Sequence, residues 1–523
     1  MNVPGAIRAI PTASVLDRAT ITVFATSAAA VLLALAVSIA VASEPLLALA
    51  AILGVMLLAV VLVVPDTAAL IAIALIYSNA LVIGSRLHGV PYLAASVLPM
   101  LIAVPIAYRL LIARERVAIP APLPFLIVYL LVQILGTLLA RDLGPATAEL
   151  ARFLSEGVLI YLLVTQALRS SVILHRAVWT LLIVGATLGG LSFLQQVTGS
   201  FDNDYLGFAQ LSEGEAGSAA AGGRNEIFRS GGPIGEQNFY AQMLVVLVPL
   251  GISRALGERQ LLTRLGAVAV TVLIGLGVVS TYSRGAAVAL LMLLAAMAVL
   301  RYVKPVHIVL VGIALGIVLS SAPAYVERLS TIEELPSVVG GGETTDPVLL
   351  QRTNDVLAAA LVFIEHPIIG VGPGMFRWYY REYAPRVPGL EGSGDYAAHN
   401  FYAEVAAETG LLGLLAMASI FGLTIRELVR ARRRWVGVDR DRETLATGFL
   451  LSMLVYLFTG LFLHVAYQRY FWLVMAIAAA AGWILTREAG PSPPALAGRP
   501  RREDGGASDH GAAAGRASRP ATG

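Results

Sequence analysis

A few charged and polar residues interrupt a chain that is otherwise apolar. His399-Asn400 closes a polar stretch that opens near Ala322, and an apolar run follows at once. Arg284 breaks the apolar stretch from Ala267 to Leu300, directly after Tyr282-Ser283. Arg229 opens the segment RSGGPIGEQN, residues 229–238, just ahead of a further apolar run. In each case the polar group precedes the start of a helix. Helix N-termini carry about half a positive charge and free N–H groups. Guanidinium groups beside such ends make an anion site, and phosphate is its natural guest. A charge near the membrane interior costs about 2.5–3.5 kcal/mol on insertion scales, so Arg284 reads as functional. Arg224 is a rival to Arg229 for the same role. At a helix start the charged form of His399 is disfavoured, and a neutral imidazole can take a proton near neutral pH. Glu404 and Glu408, on the helix that follows, either orient the imidazole or cap the lumen of a bundle.

The elements that hold these residues must lie in a bilayer. Of the 523 residues 57% are hydrophobic and 14% charged, against about 25% charged in average globular chains. Apolar runs of about 20 residues recur, the length that spans hydrocarbon as a helix. The alternation of a β-barrel is absent, so an all-α polytopic protein is expected. Fourteen candidate spans can be drawn, at about 20–42, 46–64, 67–84, 93–112, 122–140, 150–168, 174–196, 238–256, 265–282, 284–302, 306–322, 400–425, 445–464 and 469–486. With the N-terminus inside, Arg114 and Arg116, Arg169 and Arg176, Arg254 to Arg264, Arg301 with Lys304, and Arg432-Arg433-Arg434 fall on one, cytoplasmic, side. The segments at 199–236 and 322–398 and the turn at 464–468 then lie outside, with the starts of the spans near 238, 284 and 400.

The chain divides into an N-terminal cytoplasmic segment (1–19), eleven spans over 20–322 with an outer loop at 199–236, a large outer loop at 323–399, three spans over 400–486 and a cytoplasmic tail at 487–523. The loop at 199–236, rich in Gly, Ser and Glu, is expected to be mobile. The larger one carries an amphipathic helix over Leu349–Ile364 ended by Pro367, a glycine turn at 370–374, and an aromatic, basic segment over Met375–Tyr383 suited to headgroup level. The tail reads as disordered. With no cysteine there is no disulfide framework, and no histidines stand at metal-ligand spacing, so no metal is expected. No basic folded face points to nucleic acid. Two further classes stay open. A solute transporter, for instance of inorganic carbon, would use proline-interrupted spans. A non-catalytic partner in a polysaccharide assembly would tolerate loss of His399.

Four segments together resemble a known family. They are DYAAHNFYAEVAAETGLLGLL at 395–415, RSGGPIGEQNFYA at 229–241, STYSRGAAVA at 280–289, and Arg352–Phe376 with its HPIIGVGPG turn. In this order they resemble the O-antigen ligase and O-antigen polymerase superfamily. The resemblance implies a GT-C-like integral membrane glycosyltransferase of about twelve to fourteen helices in the bacterial inner membrane, active on the periplasmic side. Its donor would be a polyprenyl-diphosphate-linked glycan, and its acceptor a growing glycan or a lipid A-core-type sugar. Polysaccharide assembly proteins would be its partners, and it would need no cofactor. It implies catalytic roles for His399, Arg284 and Arg229, and substrate contacts at Arg224, Asn238, Tyr282, Ser283, Arg352, Asn400 and Glu404. Transfer would invert the anomeric carbon without a metal.

Overall fold

The computed structural model describes residues 65–90, 114–212, 228–302, 347–387, 397–464 and 468–490, with isolated positions at 103, 106, 107, 110 and 306. The expected spans at 20–42, 46–64 and 306–322, most of 93–112, the first part of the large loop, Arg224 and the tail from 491 lie outside the described residues.

What is described is helical apart from one two-stranded ribbon. The first helices, α1 (Pro65–Tyr77) and α2 (Ala80–Leu87), are bent by 53° where Asn79 adopts a left-handed backbone. Next come α3 (Leu123–Leu138) and α4 (Leu143–Arg152). The latter runs through a π-helical turn at Phe153–Val158 into α5 (Leu159–Ala167), so the span expected at 150–168 begins earlier. Then follow α6 (Ser171–Thr198), α7 (Gln237–Val245), α8 (Val248–Gly257), α9 (Leu261–Ser280) and α10 (Arg284–Val299). The large loop supplies α11 (Pro347–Glu365) and α12 (Phe376–Tyr383). The chain closes with α13 (Phe401–Trp435), α14 (Arg440–Thr459) and α15 (Gln468–Glu488).

Among the described residues, five helices are long and apolar enough to cross a membrane, or six if the bent pair α1–α2 is one span. They are α6, the continuous α7–α8, α9, α13 and α15. The helices α3 and α10 are apolar but only 16 residues long. Large apolar side chains point outward, as lipid-facing residues do; Leu262 is 81% and Val299 82% exposed. The core lies between helices, where α15 is buried on nearly every side and Trp472 packs against Phe153, Tyr129, Tyr161 and Phe471. The chain is an integral membrane protein built of helices.

The flanks of the loop at 199–236 differ from expectation. Gln210–Leu211 and Ser230–Gly232 pair as antiparallel strands β1 and β2. The Ser230 hydroxyl bonds to Ser192 at 2.8 Å, and Gln196 Nε2 donates to the Phe228 carbonyl at 2.5 Å. Polar anchors on α6 thus fix a segment whose composition alone suggests mobility. The expected amphipathic helix of the large loop is α11, and the aromatic, basic one is α12.

One irregularity shapes the end of the bundle where α13 starts. α13 is broken at Gly410, where φ is 61° and ψ −163°. The HPIIGVG segment lies along the break. Leu411 N and Leu412 N donate to the carbonyls of Pro367 and Ile368 at 2.7 and 3.2 Å, while Val371 N and Gly372 N donate to those of Ala407 and Glu408 at 3.0 and 2.9 Å. The backbone groups freed by the break are thus satisfied by a second chain segment, the condition for irregular backbone in a membrane protein. A Cβ on Gly410 would meet the Ile368 carbonyl carbon at 2.4 Å, and one on Gly370 the Glu408 carbonyl carbon at 2.4 Å. This seam fixes α11 and α12 against the first turns of α13.

Candidate functional site

The N-termini of α7, α10 and α13 meet at one end of the bundle, and short polar contacts tie them together. Glu236 caps α7, its carboxylate accepting from Phe239 N at 2.7 Å. It also accepts from the Asn238 side-chain amide at 3.0 Å. Ser283 stands in the cap position of α10 but does not cap it; its hydroxyl donates to Asn238 Oδ1 at 3.1 Å. Asn238 therefore bridges the starts of α7 and α10. At the start of α13, Asn400 Oδ1 accepts from Tyr402 N at 3.0 Å and Ala403 N at 2.9 Å, and its Nδ2 donates to the Leu461 carbonyl at 3.1 Å. Both ends of that amide are engaged in structure. These bonds fix the backbone next to His399.

The turn at 459–464 connects these starts. The Gly460 carbonyl accepts from Phe401 N at 2.8 Å. Thr459, Phe462 and Leu463 line a small pocket of about 20 Å³ together with Asn238, Gln242, Ser283 and Arg352. Its next residue, His464, lines a larger cavity of about 170 Å³ and packs edge-on against the His399 ring, centroids 5.6 Å apart. The span expected to run to 464 thus ends at Thr459, and the turn that follows separates two compartments.

His399 itself is held from α11. Its Nδ1 lies 3.0 Å from Asp355 Oδ2, and Tyr380 donates its hydroxyl to Asp355 Oδ1 at 2.5 Å. Asp355 is fully buried. A buried carboxylate accepting from Nδ1–H fixes the tautomer that has its lone pair on Nε2. This residue was missed in the sequence. The available signal was a lone carboxylate on the amphipathic α11 one turn after Arg352. Nothing in the spacing tied it to a histidine 44 residues on. His399 has φ of 47° and Tyr282 φ of 50°, both left-handed for non-glycine residues. Such a backbone costs about 1–2 kcal/mol, persists only where its surroundings enforce it, and clusters at functional turns. Burial also pushes the Tyr282 hydroxyl up from its ordinary value.

The remaining expected residues are placed as follows. Arg284 is the first residue of α10, between Ser283 and Gly285, which both line the small pocket. Arg229 immediately precedes β2, and its carbonyl accepts from Ser212 N at 3.0 Å. Neither arginine lines the two cavities; the guanidinium that lines the small pocket is that of Arg352. Glu404 lines the larger cavity with Glu408, and Glu408 accepts from Phe376 N at 3.2 Å. The His399 ring is paired with Asp355. Arg469 pairs with Glu156 at 2.8 Å and donates to Asn79 at 3.1 Å. Among the described residues no group of three or more His, Asp or Glu is arranged to hold a metal ion.

The fold and this polar end define the class: a polytopic helical membrane protein with a half-buried histidine held by a buried aspartate, beside a pocket that Arg352 lines. Residues 269–418 match the family model described as O-antigen ligase. The match places this stretch in the O-antigen ligase and polymerase superfamily and supports a ligase- or glycosyltransferase-type enzyme. It takes in Tyr282, Ser283, Arg284, Arg352, Asp355, His399, Asn400 and Glu404, while Arg229 and Asn238 precede it. Curated proteins gave no match to the chain.

Proposed function

We propose that this protein transfers a glycan from a polyprenyl-diphosphate carrier to an acceptor hydroxyl at the outer face of the bacterial inner membrane, as an O-antigen ligase or polysaccharide polymerase. The observation that carries the reading is the Asp355–His399 pair at 3.0 Å. It stands against the same turn that lines the Asn238–Ser283–Arg352 pocket, within the family-matched stretch.

The chemistry follows from the groups present. The acceptor oxygen attacks the anomeric carbon, and the bond from that carbon to the phosphate oxygen breaks. The electron pair leaves with the diphosphate, and the hydroxyl proton passes to His399 Nε2. Asp355 holds the imidazole in the tautomer that can receive it and stabilises the imidazolium. Charge develops on the leaving diphosphate, so cations aimed there stabilise the transition state more than the ground state. Arg284, at the start of α10, and Arg352, in the second turn of α11, supply that charge, with Arg229, directly before β2, as a third cation. Attack opposite a leaving diphosphate inverts the anomeric carbon. Diphosphate is already a good leaving group, so guanidinium groups suffice for its charge and the reaction is metal-independent. In this reading the chain spans the membrane about fourteen times in a GT-C-like arrangement, and the bias of Lys and Arg toward the opposite loops supports a periplasmic position for this end.

The test is transfer by purified protein in liposomes carrying a lipid-linked glycan donor. Arg284→Ala and His399→Ala are expected to abolish transfer while inserting normally. Undiminished transfer in either variant would remove that residue from the reaction.

A further inference from the structure

Next to His464 lies a cavity that the anion-binding reading does not use. It has about 170 Å³ of internal space. At roughly 10–15 Å³ per water-sized group it has room for on the order of ten such groups, the size of a single sugar ring. One wall is aromatic: Tyr129 on α3 and Phe471 and Trp472 on α15. The other wall is polar and carries both charges, with Gln133 on α3, Glu149 and Arg152 on α4, Arg377 on α12, and Glu404 and Glu408 on α13. A pyranose has an apolar C–H face and a rim of hydroxyls that both donate and accept, and this pairing of walls suits it.

Gln133 supplies an independent observation. Its side chain is only 7% exposed, and its Oε1 is buried without a hydrogen-bond partner. It sits on an apolar helix, where an unsatisfied acceptor costs about 1–3 kcal/mol. Such a group is completed by water or by a ligand hydroxyl, which offers the same donor. The carboxylate of Glu149 is already paired with Arg152 at 3.2 Å, so the wall is not a bare acidic cluster. The cavity is separated from the pocket that Arg352 lines by the turn at 459–464. It reaches the imidazole of His399 through the ring of His464.

We propose that this cavity is a subsite for one sugar ring, gripped by Gln133 and Glu404 against Tyr129 and Trp472, beside the reacting hydroxyl. The proposal rests on the glycan-transfer reading and deepens it. The ring belongs either to the acceptor or to the first sugar of the donor, and the same chemistry serves both.

The experiment is saturation-transfer NMR on the full-length protein in nanodiscs, probed with methyl glycosides of glucose, galactose, rhamnose and N-acetylglucosamine. At least one is expected to receive saturation at its ring C–H protons. Its affinity is expected to fall about fivefold in Gln133→Leu, the loss of one net hydrogen bond. Glu404→Gln is a second variant of nearly equal shape, expected to weaken binding likewise. Addition of undecaprenyl-diphosphate-linked N-acetylglucosamine separates the sources. Displacement of the glycoside assigns the ring to the donor, and simultaneous binding assigns it to the acceptor. Absence of saturation with every glycoside overturns the subsite, as does equal binding in both folded variants. Binding of undecaprenyl diphosphate alone, read in Arg284→Ala and Arg352→Ala, reports on the parent reading separately. Glycoside binding that depends on Gln133, without any diphosphate binding, would leave a sugar site but refute the transferase.

Discussion

Asp355→Asn is the perturbation that most sharply separates a reacting histidine from a structural one. The carboxylate is wholly buried, accepts from Tyr380 at 2.5 Å and faces His399 Nδ1 at 3.0 Å. An amide of the same shape keeps the volume but offers an N–H where the imidazole also has one. The imidazole then turns to the other tautomer, and Nε2 carries a proton when it must receive one. A hydrogen bond to a charged group is worth about 1.5–3 kcal/mol, and the developing imidazolium loses it. At 1.36 kcal/mol per decade the transfer rate falls about 10–100-fold from that alone, with the tautomer change adding to it. Tyr380→Phe removes a hydrogen bond that the carboxylate holds both before and during transfer, so it weighs on stability more than on rate, and the rate loss stays within about tenfold. The assay is initial transfer rate in liposomes at saturating donor and acceptor. The loss is expected in kcat with little change in KM, because the interaction acts only as charge develops. An Asp355→Asn protein that folds normally and turns over at the parental kcat would refute the reasoning.

Three further outcomes follow. Gly410→Ala drives a methyl group into the Ile368 carbonyl and forces a positive φ on alanine, so the seam should open; loss of thermal stability measured in detergent checks it. Asn400→Ala removes the cap of α13 and its bond to the 459–464 turn; a loss of about 1 kcal/mol in stability is expected, with transfer reduced as His399 loses its footing. The hydrogen bond from Tyr383, with Arg386 beside it, holds the Glu365 carboxyl below its ordinary value of 4.5. A depressed carboxyl stabilises the α11–α12 clip above pH 4.5, and that contribution is lost as pH falls through the folded value. Acid-induced loosening at α12, followed by hydrogen exchange, is therefore expected below pH 4.5 and should move up toward that value in Tyr383→Phe.

Much of the scaffold was legible because it rests on apolar run length and on punctuation. The helices at 171–198, 261–280 and 468–488 needed only the first, and the break between α9 and α10 only the polar Thr281–Arg284. The convergence of the α7, α10 and α13 starts could be anticipated from the same side of each span bearing a polar group. Asp355 could not be found this way, because its partner is joined by folding, and an exposed acid and a buried one read alike in a sequence. The break at Gly410 was equally silent. TGLLGLL continues the apolar period, and only the neighbouring HPIIGVG backbone makes an open helix there stable. Composition misjudged the 199–236 loop at its flanks, since glycine and serine there form a ribbon pinned by Ser192 and Gln196. Arg284 stood out by its cost in an apolar run. The guanidinium that lines the small pocket is nonetheless Arg352, whose amphipathic helix gives no such contrast.

The central claim is that His399, Arg284 and Arg352 act on one lipid-borne diphosphate sugar. The most direct measurement follows polyprenyl diphosphate by mass spectrometry in liposomes holding the purified protein, a lipid-linked glycan and an acceptor glycan. The account predicts that polyprenyl diphosphate appears one-for-one with lengthened or transferred glycan, and that both vanish in His399→Ala. Glycan transfer without release of the diphosphate carrier, or release that continues unchanged in His399→Ala, would contradict it.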